Sequence, residues 1–108
     1  MAFTDGLWGG MLTGLDFDPV SHECQLRVEL LENRAATTHV LRCRGVTELR
    51  FFNEIEEPWT YAEVTEIDVG FDNAANRWRL EMTLWSEQSG LVLRCMEIAL
   101  DDEPQAHS

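Results

Sequence analysis

Basic residues are scarce in this chain: Lys and Arg together number 8 against 20 Asp and Glu, for a formal net charge of -12 and a pI near 4.4. Proteins that bind nucleic acid gain affinity by displacing counterions with Lys and Arg. The arginines here, such as Arg42, Arg44, Arg50, Arg77 and Arg79, alternate with apolar residues and form no basic run. Nucleic acid is therefore not an expected partner, and an anionic membrane surface is disfavoured for the same reason. A cationic partner would be steered inward by the same field. Acidity alone also keeps a small domain soluble, which is the plainer reading of the charge.

Cysteine chemistry is thin as well. Cys24, Cys43 and Cys95 lie far apart, are odd in number and form no C-x-x-C pair, so neither a disulfide framework nor a zinc site is indicated. Each sits in an apolar alternation, the setting of a buried reduced thiol, and reduced thiols point to the cytoplasm. No stretch approaches the roughly 18 apolar residues of a spanning helix. Residues 1–10 have neither a basic start nor a sustained apolar run, so no export signal or anchor is expected. His22, His39 and His107 share no H-x-H or H-E-x-x-H spacing, and Ser21, Ser86 and Ser89 lack a nucleophile-elbow context. No catalytic residue, metal ligand or cofactor-binding residue can be named, and binding is expected in place of catalysis.

Hydrophobic residues, in contrast, are plentiful, at 44% of 108 residues. That is enough for one self-supporting core. They recur mainly with period two, and turn-type clusters interrupt them at about the 8 to 12 residue spacing of sandwiches and barrels. Cys24, Leu26, Val28 and Leu30 share one strand face; Trp78, Leu80, Met82 and Leu84 share another, opposite Arg77, Arg79, Glu81 and Thr83. Further strands are expected over Met11 to Phe17, Thr38 to Arg44, Val46 to Asn53, Thr60 to Phe71 and Leu91 to Leu100. Met11, Thr13, Leu15 and Phe17 should point one way, with Gly9, Gly10 and Gly14 marking a bulge or a close backbone approach. The fifth strand changes phase between Val64 and Ile67, which a bulge near Thr65 would reconcile, and the last shifts between Cys95 and Met96.

Asp18-Pro19, Glu32-Asn33, Gly45, Glu57-Pro58, Asp72-Asn73 and Ser89-Gly90 supply turn chemistry. Connections this short cannot hold a parallel crossover. The expected fold is all-β: an antiparallel meander of about seven strands over residues 1–100, forming a sandwich or a partly open barrel. Residues 101–108 are expected to be a frayed acidic tail.

The most unusual stretch is Asn53-Glu54-Ile55-Glu56-Glu57-Pro58-Trp59-Thr60-Tyr61. Exposed Trp and Tyr dominate binding hot spots, and acids beside them would pair with a basic partner surface. Glu54, Glu56, Glu57, Trp59 and Tyr61 are the candidate partner-binding residues. The competing reading has Trp59 and Tyr61 closing one end of the core, and exposure decides between the two. Asp16 with Asp18, and Glu66 with Asp68, lie two apart on strands and could hold Ca²⁺ or act as an acid and base pair, although neighbouring acids are expected by chance at this composition.

The alternation over Leu12 to Asp18, the step Arg44-Gly45-Val46-Thr47-Glu48-Leu49, the segment Pro58-Trp59-Thr60-Tyr61-Ala62-Glu63-Val64 and the closing Gly90-Leu91-Val92-Leu93-Arg94-Cys95 together resemble the YxiG-like group of small bacterial proteins. Some members of that group are labelled immunity proteins of toxin systems. The first strand departs from the group, with Trp8-Gly9-Gly10 in place of a His-Asp pair. The resemblance implies a sandwich-like fold, no catalytic residues and a role as inhibitor of a partner protein. Three functions stand beside one another: an immunity-type module binding another protein, a small-ligand or carbohydrate-binding sandwich using Trp8, Trp59 or Trp85, and a structural homo-oligomer formed through an edge strand.

Overall fold

The computed structural model describes residues 5–105. After a short 3-10 turn at Asp5–Leu7 the strands run β1 (Met11–Asp18), β2 (Glu23–Glu32), β3 (Ala35–Arg44), β4 (Glu48–Asn53), β5 (Val64–Asp72), β6 (Arg77–Leu84), β7 (Ser86–Cys95), β8 (Glu97–Leu100) and β9 (Glu103–Pro104). Every pairing is antiparallel, and the strands form two sheets, β1-β2-β3-β8-β9 and β4-β7-β6-β5, with no closed barrel. Consecutive strands are neighbours except at three steps: the chain changes sheet from β3 to β4 and from β7 to β8, and it crosses from one edge of the second sheet to the other between β4 and β5. Among the described residues no helix is long and apolar enough to cross a membrane.

Alternation builds the core. Leu26, Val28, Leu41 and Cys43 project from the first sheet and Leu80, Met82, Leu84, Leu91 and Leu93 from the second, all buried. Each leucine so enclosed contributes about 1.5–3 kcal/mol relative to an exposed one. The three thiols lie within this core, with Cys24 directly across from Cys43 and Cys43 hydrogen-bonded to Cys95. Burial pushes the Cys24 thiol up to about 11. The bond to Cys95, and then burial, hold Cys43 above the ordinary thiol value, so Cys24 and Cys43 stay protonated, while the same bond lowers Cys95.

Turn chemistry fixes the registers. Asn33 and Arg34, both at positive φ, close a two-residue hairpin between Glu32 and Ala35. The Asp18 carboxylate accepts from Val20 N–H at 2.9 Å, which lowers its pKa, and Asp72 caps its own turn through Ala74 N–H. The bulge expected near Thr65 is present as a register shift between Val64 and Glu66, and another falls between Leu12 and Gly14. The second one corrects the facing of β1. Leu12 opposes Val28 and packs on the core, while Leu15 and Phe17 oppose Leu26 and Cys24, so Met11 does not share their face.

Further boundaries differ from expectation. The described residues form nine strands where about seven are expected. β4 starts at Glu48 and not at Val46, because Gly45 turns the corner at φ +65° and Val46 N–H donates to His22 O at 2.9 Å. The fifth strand joins its sheet only at Val64, since Ala62 and Glu63 lie against β1 instead. Ser89-Gly90 is no turn but the middle of β7, and the turn before it falls at Trp85, held at φ +70°. The last expected strand is two strands in different sheets, broken at Met96. The tail is also tied down as far as Gln105. Asp101 and Asp102, both at positive φ, make a hairpin turn, Glu103–Pro104 pair with β8, and Gln105 N–H donates to Ile98 O at 3.0 Å. His107 lies outside the described residues.

Candidate functional site

The connection 54–63 spans from one edge of the second sheet to the other, and both ends are anchored by hydrogen bonds. At its start Asn53 accepts from Ile55 N–H at 2.8 Å and donates to Ile55 O at 2.7 Å, while buried Ser89 donates to Asn53 Oδ1 at 2.8 Å. Glu54 N–H reaches Gln88 O at 3.2 Å. At its end Leu12 N–H donates to Ala62 O at 2.7 Å, and Trp85 N–H to Glu63 O at 3.1 Å. The segment is thereby held across the open side of the sandwich, between the start of β1 and the end of β4.

Its aromatic residues take two different roles. Trp59 is half-buried and packs on the core, with its ring centroid 6.3 Å from that of Phe51. Tyr61 is 48% exposed and lies over Trp85 at 4.6 Å between ring centroids, tilted by 49°. Both readings of this stretch are thus partly met: Trp59 closes the core, and Tyr61 faces solvent. Between them opens a groove of about 530 Å³ lined by Met11, Leu12, Thr13, Phe51, Asn53, Glu57, Pro58, Trp59, Thr60, Tyr61 and Ala62. Phe51, at 55% exposure, forms an apolar wall.

Of the residues singled out in the sequence, Glu57, Trp59 and Tyr61 line the groove. Glu54 and Glu56 are exposed on the same segment outside the lining. No ion-pair partner for Glu54, Glu56 or Glu57 is present among the described residues. Arg27, Arg42, Arg44, Arg79 and Arg94 by contrast are matched to Asp16, Asp102, Glu23, Glu81 and Glu48. Met11, Thr13, Phe51 and Pro58 are groove residues that sequence reasoning missed. Phe51-Phe52, an aromatic pair that breaks the alternation of β4, was the only local signal.

The remaining candidates do not converge. Asp16 pairs with Arg27 while Asp18 serves its turn. Glu66 and Asp68 are exposed on β5. Among the described residues no group of three or more His, Cys, Asp and Glu is placed to hold a metal ion. His22 is exposed in a turn; His39 bonds Asp101 through Nδ1 at 2.7 Å, which, with Val40 N–H, holds the Asp101 carboxyl below its usual value. Trp8 is 67% exposed, donates to Thr65 O at 2.8 Å and does not line the groove. A scan against protein-family models and a search of curated proteins find no match to this chain.

Proposed function

We propose that the protein is a binding module of the immunity type, which holds a cationic partner protein against the face formed by Glu54, Glu56, Glu57, Trp59 and Tyr61. The observation that carries this reading is the groove, which joins exposed aromatic walls to a segment whose Glu54, Glu56 and Glu57 have no ion-pair partner among the described residues. Aromatic anchors in a partly desolvated pocket supply affinity, and unpaired charge around them supplies steering and selection. The net charge of -12 supports a basic partner, and the resemblance to the YxiG-like group supports inhibition as its purpose. Three buried, free thiols support placement in the reducing cytoplasm.

Immobilised wild-type protein and its Trp59→Ala and Glu56→Lys variants, each verified as folded by circular dichroism, provide the test. Partner recovery should fall in both variants, and recovery equal to wild type in both rejects this face. The volume of about 530 Å³ favours a second reading, since small-molecule sites occupy about 300–1,000 Å³. A sugar or other flat ligand would stack on Trp59 or Tyr61. A thermal-shift screen of saccharides and planar heterocycles that yields no stabilising compound counts against it.

A further inference from the structure

The open edge of β4 borders the groove, and its hydrogen-bonding groups can be assigned. β4 pairs only with β7, in unbroken register from Glu48↔Arg94 to Asn53↔Ser89. One step further, Glu54 N–H donates to Gln88 O. Bonded and non-bonded pairs alternate in an antiparallel ladder, so Phe52 and Arg50 bond to β7 while Leu49, Phe51 and Asn53 aim their main-chain N–H and C=O groups outward. Among the described residues no strand covers that edge.

The other sheet edges are blunted. β1 is bulged and its start is occupied by Ala62 and Glu63; β9 is a two-residue strand containing Pro104; β5 is bulged and carries Glu66 and Asp68. Such features are how proteins guard edges against pairing. β4 has neither bulge nor proline, and its Phe51 both offers outward main-chain groups and lines the groove.

We propose that β4 is a strand-addition site: an extended segment of a partner protein, rich in Lys or Arg and alternating with apolar residues, pairs its main chain with Leu49, Phe51 and Asn53. A residue opposite Phe51 would share its face, so the apolar side chains of the added strand enter the groove. The intervening cationic residues project from the opposite face, the one that carries Glu48, Arg50 and Phe52 on β4 with Glu54 one step beyond. A second copy of this chain is the wrong occupant, because two chains of net charge -12 would bring their unpaired glutamates together. The proposal rests on the groove being a protein-binding face and specifies how that face is engaged.

The probe is a blocked heptapeptide of alternating lysine and apolar residues, KVKFKVK, compared with the same sequence N-methylated at every second residue to remove one edge of donors. Binding to the full chain is followed by fluorescence anisotropy in about 0.15 M salt, and amide exchange is followed by NMR. The unmodified peptide should bind about tenfold or more tightly than the methylated one, since several main-chain bonds are at stake. It should also slow exchange at Leu49, Phe51 and Asn53. Equal affinity of the two peptides, lost in Trp59→Ala and with exchange at β4 unchanged, overturns strand addition while leaving the groove as the contact face. Failure of both peptides to bind overturns both ideas. Protection of the same amides without peptide, rising with protein concentration, assigns the edge to self-pairing and also overturns the proposal.

Discussion

Tyr61 and Trp59 sit two residues apart and should respond differently to truncation. Tyr61 is 48% exposed and rests on Trp85, so Tyr61→Ala removes contact surface with little change in the core. Urea unfolding should show a loss below about 1.5 kcal/mol, the scale of one aromatic pair, whereas affinity for a cationic partner should fall. Trp59 packs against the buried cluster, and Trp59→Ala should be the more destabilising of the two by urea unfolding. Asp101 offers a pH-dependent test. Hydrogen bonds from His39 and then from Val40 N–H depress its pKa below 3.8. A depressed folded value means that the stabilisation is complete above the unfolded pKa and disappears as pH falls through the folded one. The carboxylate is 45% exposed, so the effect is below about 1 kcal/mol. Asp101→Asn keeps a residue that tolerates the φ of +51°. Its stability deficit relative to wild type should be complete near neutrality, begin to shrink below about pH 4 and disappear only as pH falls through the depressed folded value; a deficit that does not shrink at all as the pH is lowered below about 4 would assign the effect to geometry and not to charge.

Elements were legible where alternation was strict and every turn used turn residues. β2 and β6 follow from their period of two, and the Thr65 bulge follows from a phase change that no straight strand can absorb. The errors share a cause, which is that local chemistry was overruled by contacts distant in sequence. Ser89-Gly90 reads as a turn, but Gly90 is in β7 because any side chain there would collide with the Met82 carbonyl, and Ser89 is buried to hold Asn53. The true turn is at Trp85, a residue type that gives no such signal. The groove was half legible for the same reason. Its acidic and aromatic segment is contiguous, whereas Met11 and Thr13 reach it only through the bonding of β1 to Ala62 and Glu63. Gly45 was legible as a corner, and the structure gives it two constraints: φ is +65°, and an added Cβ would lie 2.9 Å from Met96 Cγ. Gly45→Ala should therefore destabilise by at least about 1 kcal/mol in urea unfolding. A midpoint unchanged from wild type would mean that the β3–β4 corner can adopt another geometry.

Charge acts over the whole molecule. The chain spans 36 × 34 × 26 Å with a net charge of -12. At about 0.01 M salt the Debye length is about 30 Å, so each carboxylate senses nearly all the others; at about 0.15 M it is about 8 Å and only near neighbours remain. Two opposing effects follow from added salt. Screening weakens the arginine–carboxylate pairs at Arg27, Arg42, Arg44, Arg79 and Arg94, but these are surface pairs of about 0–1 kcal/mol each, and short contacts are screened least. It also relieves the long-range repulsion that favours expansion. With 20 acids against 8 bases the second effect dominates, and the urea midpoint should rise as NaCl increases over that range. Glu56→Lys should flatten the rise, because it removes two units of excess negative charge without touching the core or the groove lining. A midpoint that falls with salt would show that the ion pairs outweigh the repulsion, and that the unpaired glutamates beside the groove impose no cost on the free protein for a cationic partner to relieve.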